Sequence, residues 1–301
     1  MLSHDEIRTR DGQKIGLTVY SPGSTTNKVM IMAATGGVSQ NFYEPFAGFF
    51  QRHGFTVITF DYRGVGRSAP EELKGYNANM HQWAVQDIDA VILYARHNCP
   101  KHEIIYVGHC VGGEIVGLAQ ASQYINKLVL VNSALSCKKL WPLKQRFKII
   151  AIKPFIALLN KWFGYFPGKK IGYDEDLPAG VMHEWANWCS KSNGLFDAFP
   201  DNNYRKLRIP LLAYSFSDNW KSPPKAVQEL LNRFANAYIT WHHIRPIEMG
   251  RKAIGHYGFF YPEMEASLWL KLLQWVNEGE RIKKPVVDSS TLSNKNVDQK
   301  D

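Results

Sequence analysis

EIIYVGHCVGGEIVGLAQ, residues 103–120, opens as a short apolar strand and runs straight into a cluster of glycines around Cys110. Gly108-His109-Cys110-Val111-Gly112 fits G-x-S-x-G with cysteine in the serine place, and the preceding strand and following helix-like run supply the context that this motif needs. A residue on so sharp a turn is pushed into strained backbone angles, and Gly108, Gly112 and Gly113 give the turn room. Cys110 then stands above the sheet edge as a candidate nucleophile. A helix beginning beneath it would favour its thiolate, and the Val111 N–H would bind a developing oxyanion.

On either side of this stretch, strands alternate with helices. A hairpin is expected from Glu6–Arg10, an Asp11-Gly12 turn and Lys14–Tyr20. Val29–Ala34 and Phe55–Asp61 read as buried strands around a helix at Tyr43–His53, and Asn79–Asn98 has apolar residues near helical spacing. Lys127–Asn132, Leu211–Phe216 and Tyr238–Ile244 read as further strands, with helices expected over about 223–235 and 263–277. The pattern predicts an α/β fold with a mostly parallel sheet covered by helices on both faces.

A cysteine nucleophile needs a base within hydrogen-bond reach and a group that orients the base. Both are expected in loops after strands. His256, in Ile254-Gly255-His256-Tyr257-Gly258, follows the last strand, whereas His242 and His243 lie within a strand-like run. Asp218 ends the apolar run LLAYSFSD and is the candidate orienting acid. His109 should point away from Cys110 on the turn and serve either packing or the support of site residues from behind. For the second oxyanion donor, Thr35-Gly36-Gly37-Val38 offers Gly37 N–H first and Gly36 next. Asp61–Ser68, DYRGVGRS, lacks the spacing of a phosphate-binding loop, so neither a nucleotide nor another organic cofactor is expected.

On these residues the chain resembles α/β-hydrolase-fold proteins over roughly Glu6–Asn277. FDYRGVGRS (60–68) and GHCVGG (108–113) are similar to segments of the serine-aminopeptidase-like and monoacylglycerol-lipase-like branches. ATGGVSQNFYEPFA (34–47), FGYFPGKK (163–170), DEDLPAGVMHEWANWC (174–189), SFSDNWKSPP (215–224) and IGHYGFF (254–260) resemble a group of bacterial α/β-hydrolases of unassigned substrate. The resemblance implies a triad of Cys110, Asp218 and His256 acting on an ester or thioester through an acyl-enzyme. Its departure is Cys110 where that group usually has serine. Cysteine nucleophiles on this fold occur in dienelactone hydrolases and polyhydroxyalkanoate synthases, so acyl transfer to an alcohol other than water is an alternative. A hydrolase-fold binding protein without efficient turnover is a second.

The same resemblance makes residues 135–206 a helical lid inserted into a hydrolase core of 1–134 and 207–277. Ile149, Ile152, Ile156, Leu159 and Phe163 recur at helical spacing within it, and Pro154 is expected to kink or restart that helix. Trp141, Trp162, Trp185 and Trp188 favour an apolar acyl pocket.

Composition narrows the remaining classes. The chain has 301 residues, 45% hydrophobic and 21% charged, as a globular enzyme does. Its formal charge of +9 comes from one place: Leu135–Tyr173 holds nine basic residues and no Asp or Glu, while the rest is balanced, 27 against 27. That distribution argues against a nucleic-acid groove and for a basic lid able to touch an anionic membrane surface or an acyl-phosphate-bearing substrate. Four scattered cysteines suggest neither a disulfide framework nor a zinc site, and no metal is expected. No window reads as a signal peptide or membrane span, so a cytoplasmic location is expected. From Glu278 onward the chain is polar and aperiodic, and disorder is expected there.

Overall fold

The computed structural model describes residues 1–278; the expectation for the tail lies outside them, Glu278 apart. An eight-stranded sheet runs β1 (Leu2–Arg8), β2 (Lys14–Tyr20), β3 (Lys28–Ala33), β4 (Thr56–Phe60), β5 (Glu103–His109), β6 (Lys127–Val131), β7 (Pro210–Phe216) and β8 (Tyr238–Ile244). Its spatial order is β1-β2-β4-β3-β5-β6-β7-β8. The first hairpin and the β2–β4 pair are antiparallel, and every other neighbouring pair is parallel. β3, β5, β6 and β7 are almost wholly buried, which explains their continuous apolar runs.

Helices cover the sheet: α1 (Glu44–Arg52), α2 (Met80–Gln82) continuing through a π turn into α3 (Asp89–Asn98), α7 (Pro224–Leu231) and α8 (Leu270–Asn277). The predicted helix after Cys110 is shorter than its sequence suggests. Only one turn forms, α4 (Val111–Glu114), followed by 3₁₀ turns at Val116–Leu118 and Gln120–Tyr124. Glycines 112, 113 and 117 weaken a helix here, and the Tyr204 ring packs so closely on Gly117 that a β-carbon would meet it at 2.4 Å. The backbone N–H of Asn203 also donates to the Gly117 carbonyl, 2.7 Å away.

Between β6 and β7 lie α5 (Leu143–Phe163) and α6 (Ala179–Ser190). α5 runs unbroken through Pro154, correcting the expected restart. Pro154 and Ile150 are both exposed, so the carbonyl that loses its intrahelical N–H partner lies on the solvent side. Among the described residues no helix is long and apolar enough to cross a membrane.

Strand register brings three loops together. Ala33 is level with Gly108 and Gly108 with Leu130, so Thr35, Cys110 and Asn132 emerge side by side at the C-terminal edge of three parallel strands. This edge is where ligands bind in parallel α/β sheets.

Candidate active site

Cys110 has φ 51° and ψ −112°, a region that side-chain-bearing residues avoid. Close packing beneath it holds this strain. A β-carbon on Gly108 would lie 2.5 Å from the Gly113 α-carbon, and one on Gly112 would lie 2.5 Å from the Ala33 carbonyl oxygen. The Cys110 N–H is fixed to the Val131 carbonyl at 2.9 Å. The motif therefore forms the expected turn, and glycine is sterically required on both sides of it.

The electrostatics differ from the sequence expectation. Burial pushes the Cys110 thiol above its ordinary pKa, and nearby Glu114 pushes the same way; hydrogen bonds with Thr35 and the Val111 N–H and the charge of Lys221 offset part of this. A single turn of helix carries little macrodipole, so it cannot hold a resting thiolate against burial. The resting sulfur is a thiol.

His256 lies with Cys110 on the wall of one cavity of about 180 Å³. Burial, then the neighbouring His109 and Lys221, hold its pKa well below the ordinary histidine value, so its imidazole is neutral at neutral pH and able to accept a proton. Its backbone is clamped from two strands. Asn132, at φ 53°, donates its Nδ2–H to the His256 carbonyl at 2.8 Å. His109 is fully buried and held neutral by that burial, its pKa lowered to about 3. Its Nε2–H donates to the same carbonyl at 3.0 Å while its Nδ1 accepts from the Tyr43 hydroxyl at 2.8 Å. His109 thus holds the His256 backbone, the supporting role that sequence offered beside packing.

Sequence alone expects Asp218 to orient His256; in the structure its carboxylate instead bonds the backbone of the loop that carries His256. The Asp218 carboxylate accepts the backbone N–H groups of Ile254 and Gly255 at 2.8 and 2.9 Å, holding the loop just before His256. The side chain against His256 Nδ1 is the buried amide of Asn219, at 3.2 Å. The physical reason is position along the loop: Asp218 is exposed, and the next residue turns inward. Cysteine, histidine and asparagine form a recognised variant of the triad arrangement on unrelated folds. The only signal for Asn219 in the sequence is its place beside Asp218.

The oxyanion expectation divides similarly. Val111 and Gly36 form part of the cavity wall, together with Thr35. Gly37 lies outside that wall: at φ 77° it carries the Tyr173 ring, which a β-carbon would meet at 2.6 Å, and its carbonyl accepts the Glu175 N–H.

The cavity wall is mainly apolar, with Met80, Trp141, Ile152, Leu177, Met182 and Trp185 among its residues; five of these six come from the 135–206 segment. Its charged groups are Lys221 and Glu114. Lys221 Nζ sits over the Tyr257 ring at 5.4 Å and the Tyr173 ring at 5.6 Å. Glu114 is buried, accepts the Ser136 hydroxyl at 2.7 Å and has its pKa raised to about 7 by burial. Among the described residues no group of acidic, histidine and cysteine side chains could hold a metal ion.

A strained turn after a central parallel strand, facing a histidine from the loop after the last strand, is the arrangement of the α/β-hydrolase fold. The sequence matches the family described as Serine aminopeptidase, S33 over residues 25–191, more than half the chain, and the protein belongs to that family. A putative carbamate hydrolase, RutD, of Yersinia enterocolitica is 34% identical over 119 residues, 38% of this chain and 39% of that protein. The chain thus aligns with well under half the length of this curated relative. Two solved structures share the fold. An esterase from Exiguobacterium antarcticum superposes with TM-score 0.62 at 17% identity, covering 92% of this chain and all of that one. A thermostable carboxyl esterase from Bacillus coagulans gives TM-score 0.65 at 10% identity, covering 92% and 98%.

Proposed function

We propose that the protein hydrolyses an ester or thioester of an apolar acyl group through an acyl-enzyme on Cys110. The observation that carries this reading is the strained Cys110 on one cavity wall with a neutral, buried His256. His256 takes the thiol proton as sulfur bonds to the carbonyl carbon, and the Val111 and Gly36 N–H groups receive the oxyanion. As the tetrahedral species collapses, the bond to the leaving alcohol or thiol breaks and His256 returns the proton to it. Water then attacks the acyl-sulfur carbonyl by the reverse proton path and frees Cys110. Asn219 orients the imidazole without adding charge, and Asp218 holds its loop. Residues 135–206 act as a lid on the core of 1–134 and 207–277, keeping the acyl chain out of water.

Sulfur in place of oxygen selects the substrate. A thiolate leaves more readily than an alkoxide, so the intermediate from an ordinary ester falls back to substrate. Thioesters and activated esters, whose own leaving groups compete with sulfur, partition forward.

Intact-mass spectrometry with a panel of p-nitrophenyl esters and acyl-thioesters tests the reading. An acyl adduct on Cys110, a burst of product and a loss of at least roughly a thousandfold in kcat for Cys110→Ala are expected. A long-lived adduct would mean that the acceptor is not water, and hence an acyltransferase. Turnover that survives Cys110→Ala, or an adduct elsewhere, would overturn the assignment.

A further inference from the structure

Most of the chain buries its large apolar side chains, but α5 does not. Leu143, Phe147, Ile150, Phe155, Leu158 and Trp162 are all exposed, with Leu143, Phe147 and Trp162 at 71%, 75% and 73%. At 3.6 residues per turn these six positions fall within an arc of about 140°. The opposite side of the helix packs inward through Ile156 and through Ile152, which reaches the catalytic cavity. Lys144, Lys153 and Lys161 are exposed on the same helix, and Lys169 and Lys170 follow in the next turn. From Leu135 to Tyr173 no acidic residue balances them.

A long amphipathic helix with bulky apolar residues and lysines on its outer side is the signature of a helix lying in a lipid interface. Lysine can sink its alkyl stem alongside the apolar residues while its ammonium stays at headgroup level. Closing this face against a second copy would bring two all-basic segments together, a repulsive arrangement. An anionic bilayer satisfies both the apolar arc and the uncompensated charge.

We propose that the outer face of α5 seats the protein on an anionic lipid surface, with Leu143, Phe147, Ile150, Phe155, Leu158 and Trp162 entering the acyl boundary and the lysines contacting lipid phosphates. Docking would bring the helix that lines the cavity with Ile152 to the lipid interface. This inference rests on the surface and is independent of turnover at Cys110.

Co-sedimentation with vesicles of phosphatidylcholine alone, and with an equal part of phosphatidylglycerol, tests it on the full-length protein. Binding to the anionic vesicles at low salt should exceed binding to neutral ones by about tenfold and fall by a similar factor at high salt. The double variant Phe147→Ser/Trp162→Ser and the triple variant Lys144→Gln/Lys153→Gln/Lys161→Gln should each lose most of that binding, with unfolding midpoints by circular dichroism close to wild type. Absence of binding to anionic vesicles at low salt would overturn the proposal, as would equal binding by both folded variants. A concentration-dependent dimer in light scattering that vanishes in Phe147→Ser/Trp162→Ser would assign the face to self-association instead.

Discussion

The Cys110 turn and the histidine loop meet in one cavity, yet they are held in different ways. Cys110 is fixed by its nearest neighbours in sequence: Gly108, Gly112 and Gly113 allow a packing that no β-carbon would permit, and the strand beneath supplies the rest. His256 is fixed from afar, by Asn132 after β6, His109 at the end of β5, and Asp218 and Asn219 after β7. Local sterics leave a spacing signature in the chain, and long-range hydrogen bonds do not. The turn was therefore readable as a motif, whereas the support of the histidine required the strand register.

The sharpest way to break this contrast is at the turn. Gly112→Ala forces a β-carbon against the Ala33 carbonyl and should destabilise the fold by about 3 kcal/mol or more, measured by chemical unfolding. A variant of wild-type stability would mean that the turn can relax and that its strain is not sterically imposed.

At the histidine loop, the two adjacent side chains separate orientation from support. Asn219→Ala should lower kcat by roughly ten- to a hundredfold at nearly unchanged KM. Asn219→Asp places a carboxylate beside Nδ1, which favours the imidazolium and should move the acid limb of the pH-rate profile to higher pH. Asp218→Asn removes a charged acceptor from two backbone N–H groups and should cost about 1 kcal/mol of stability with a smaller kinetic effect. The reverse ranking, deep kinetic loss in Asp218→Asn and none in Asn219→Ala, would return the orienting role to the carboxylate.

Acid should reveal the buried support more gently. The folded pKa of His109, about 3, lies below the ordinary 6.5, so the unfolded chain binds the extra proton first. Stability from this group is complete above pH 6.5 and declines as pH falls toward 3, by about 2 kcal/mol between pH 6.5 and 5. His109→Gln should flatten that portion of the stability-pH curve in urea titrations. An unchanged slope would place the acid sensitivity in other groups, His256 among them.

The parts of the molecule that sequence conveyed share a physical cause. Buried parallel strands need continuous apolar runs, so β3, β5, β6 and β7 could be located to within a residue or two. Helix continuity was harder, because it depends on which side faces water. Pro154 is accommodated on an exposed face, while the glycine-rich run after Cys110 is cut short by the Tyr204 ring, which is distant in the chain. Asn219 is hidden in the sequence because the carboxylate next to it has the residue type expected of a triad. Only the inward turn after Asp218 distinguishes the two. The charge segregated into residues 135–173 was visible from composition, but its exposed apolar companion on α5 required coordinates.

The Thr35 N–H donates to the Tyr43 hydroxyl at 3.0 Å, the hydroxyl to His109, and His109 to the carbonyl of His256. One chain of donors thus ties the Thr35 loop to the loop that carries His256. Changes at Tyr43 and His109 should consequently be strongly epistatic. Either one alone strands a buried polar partner, whereas a matched pair that removes both groups leaves fewer behind, so divergence at these positions is expected to proceed through paired replacements.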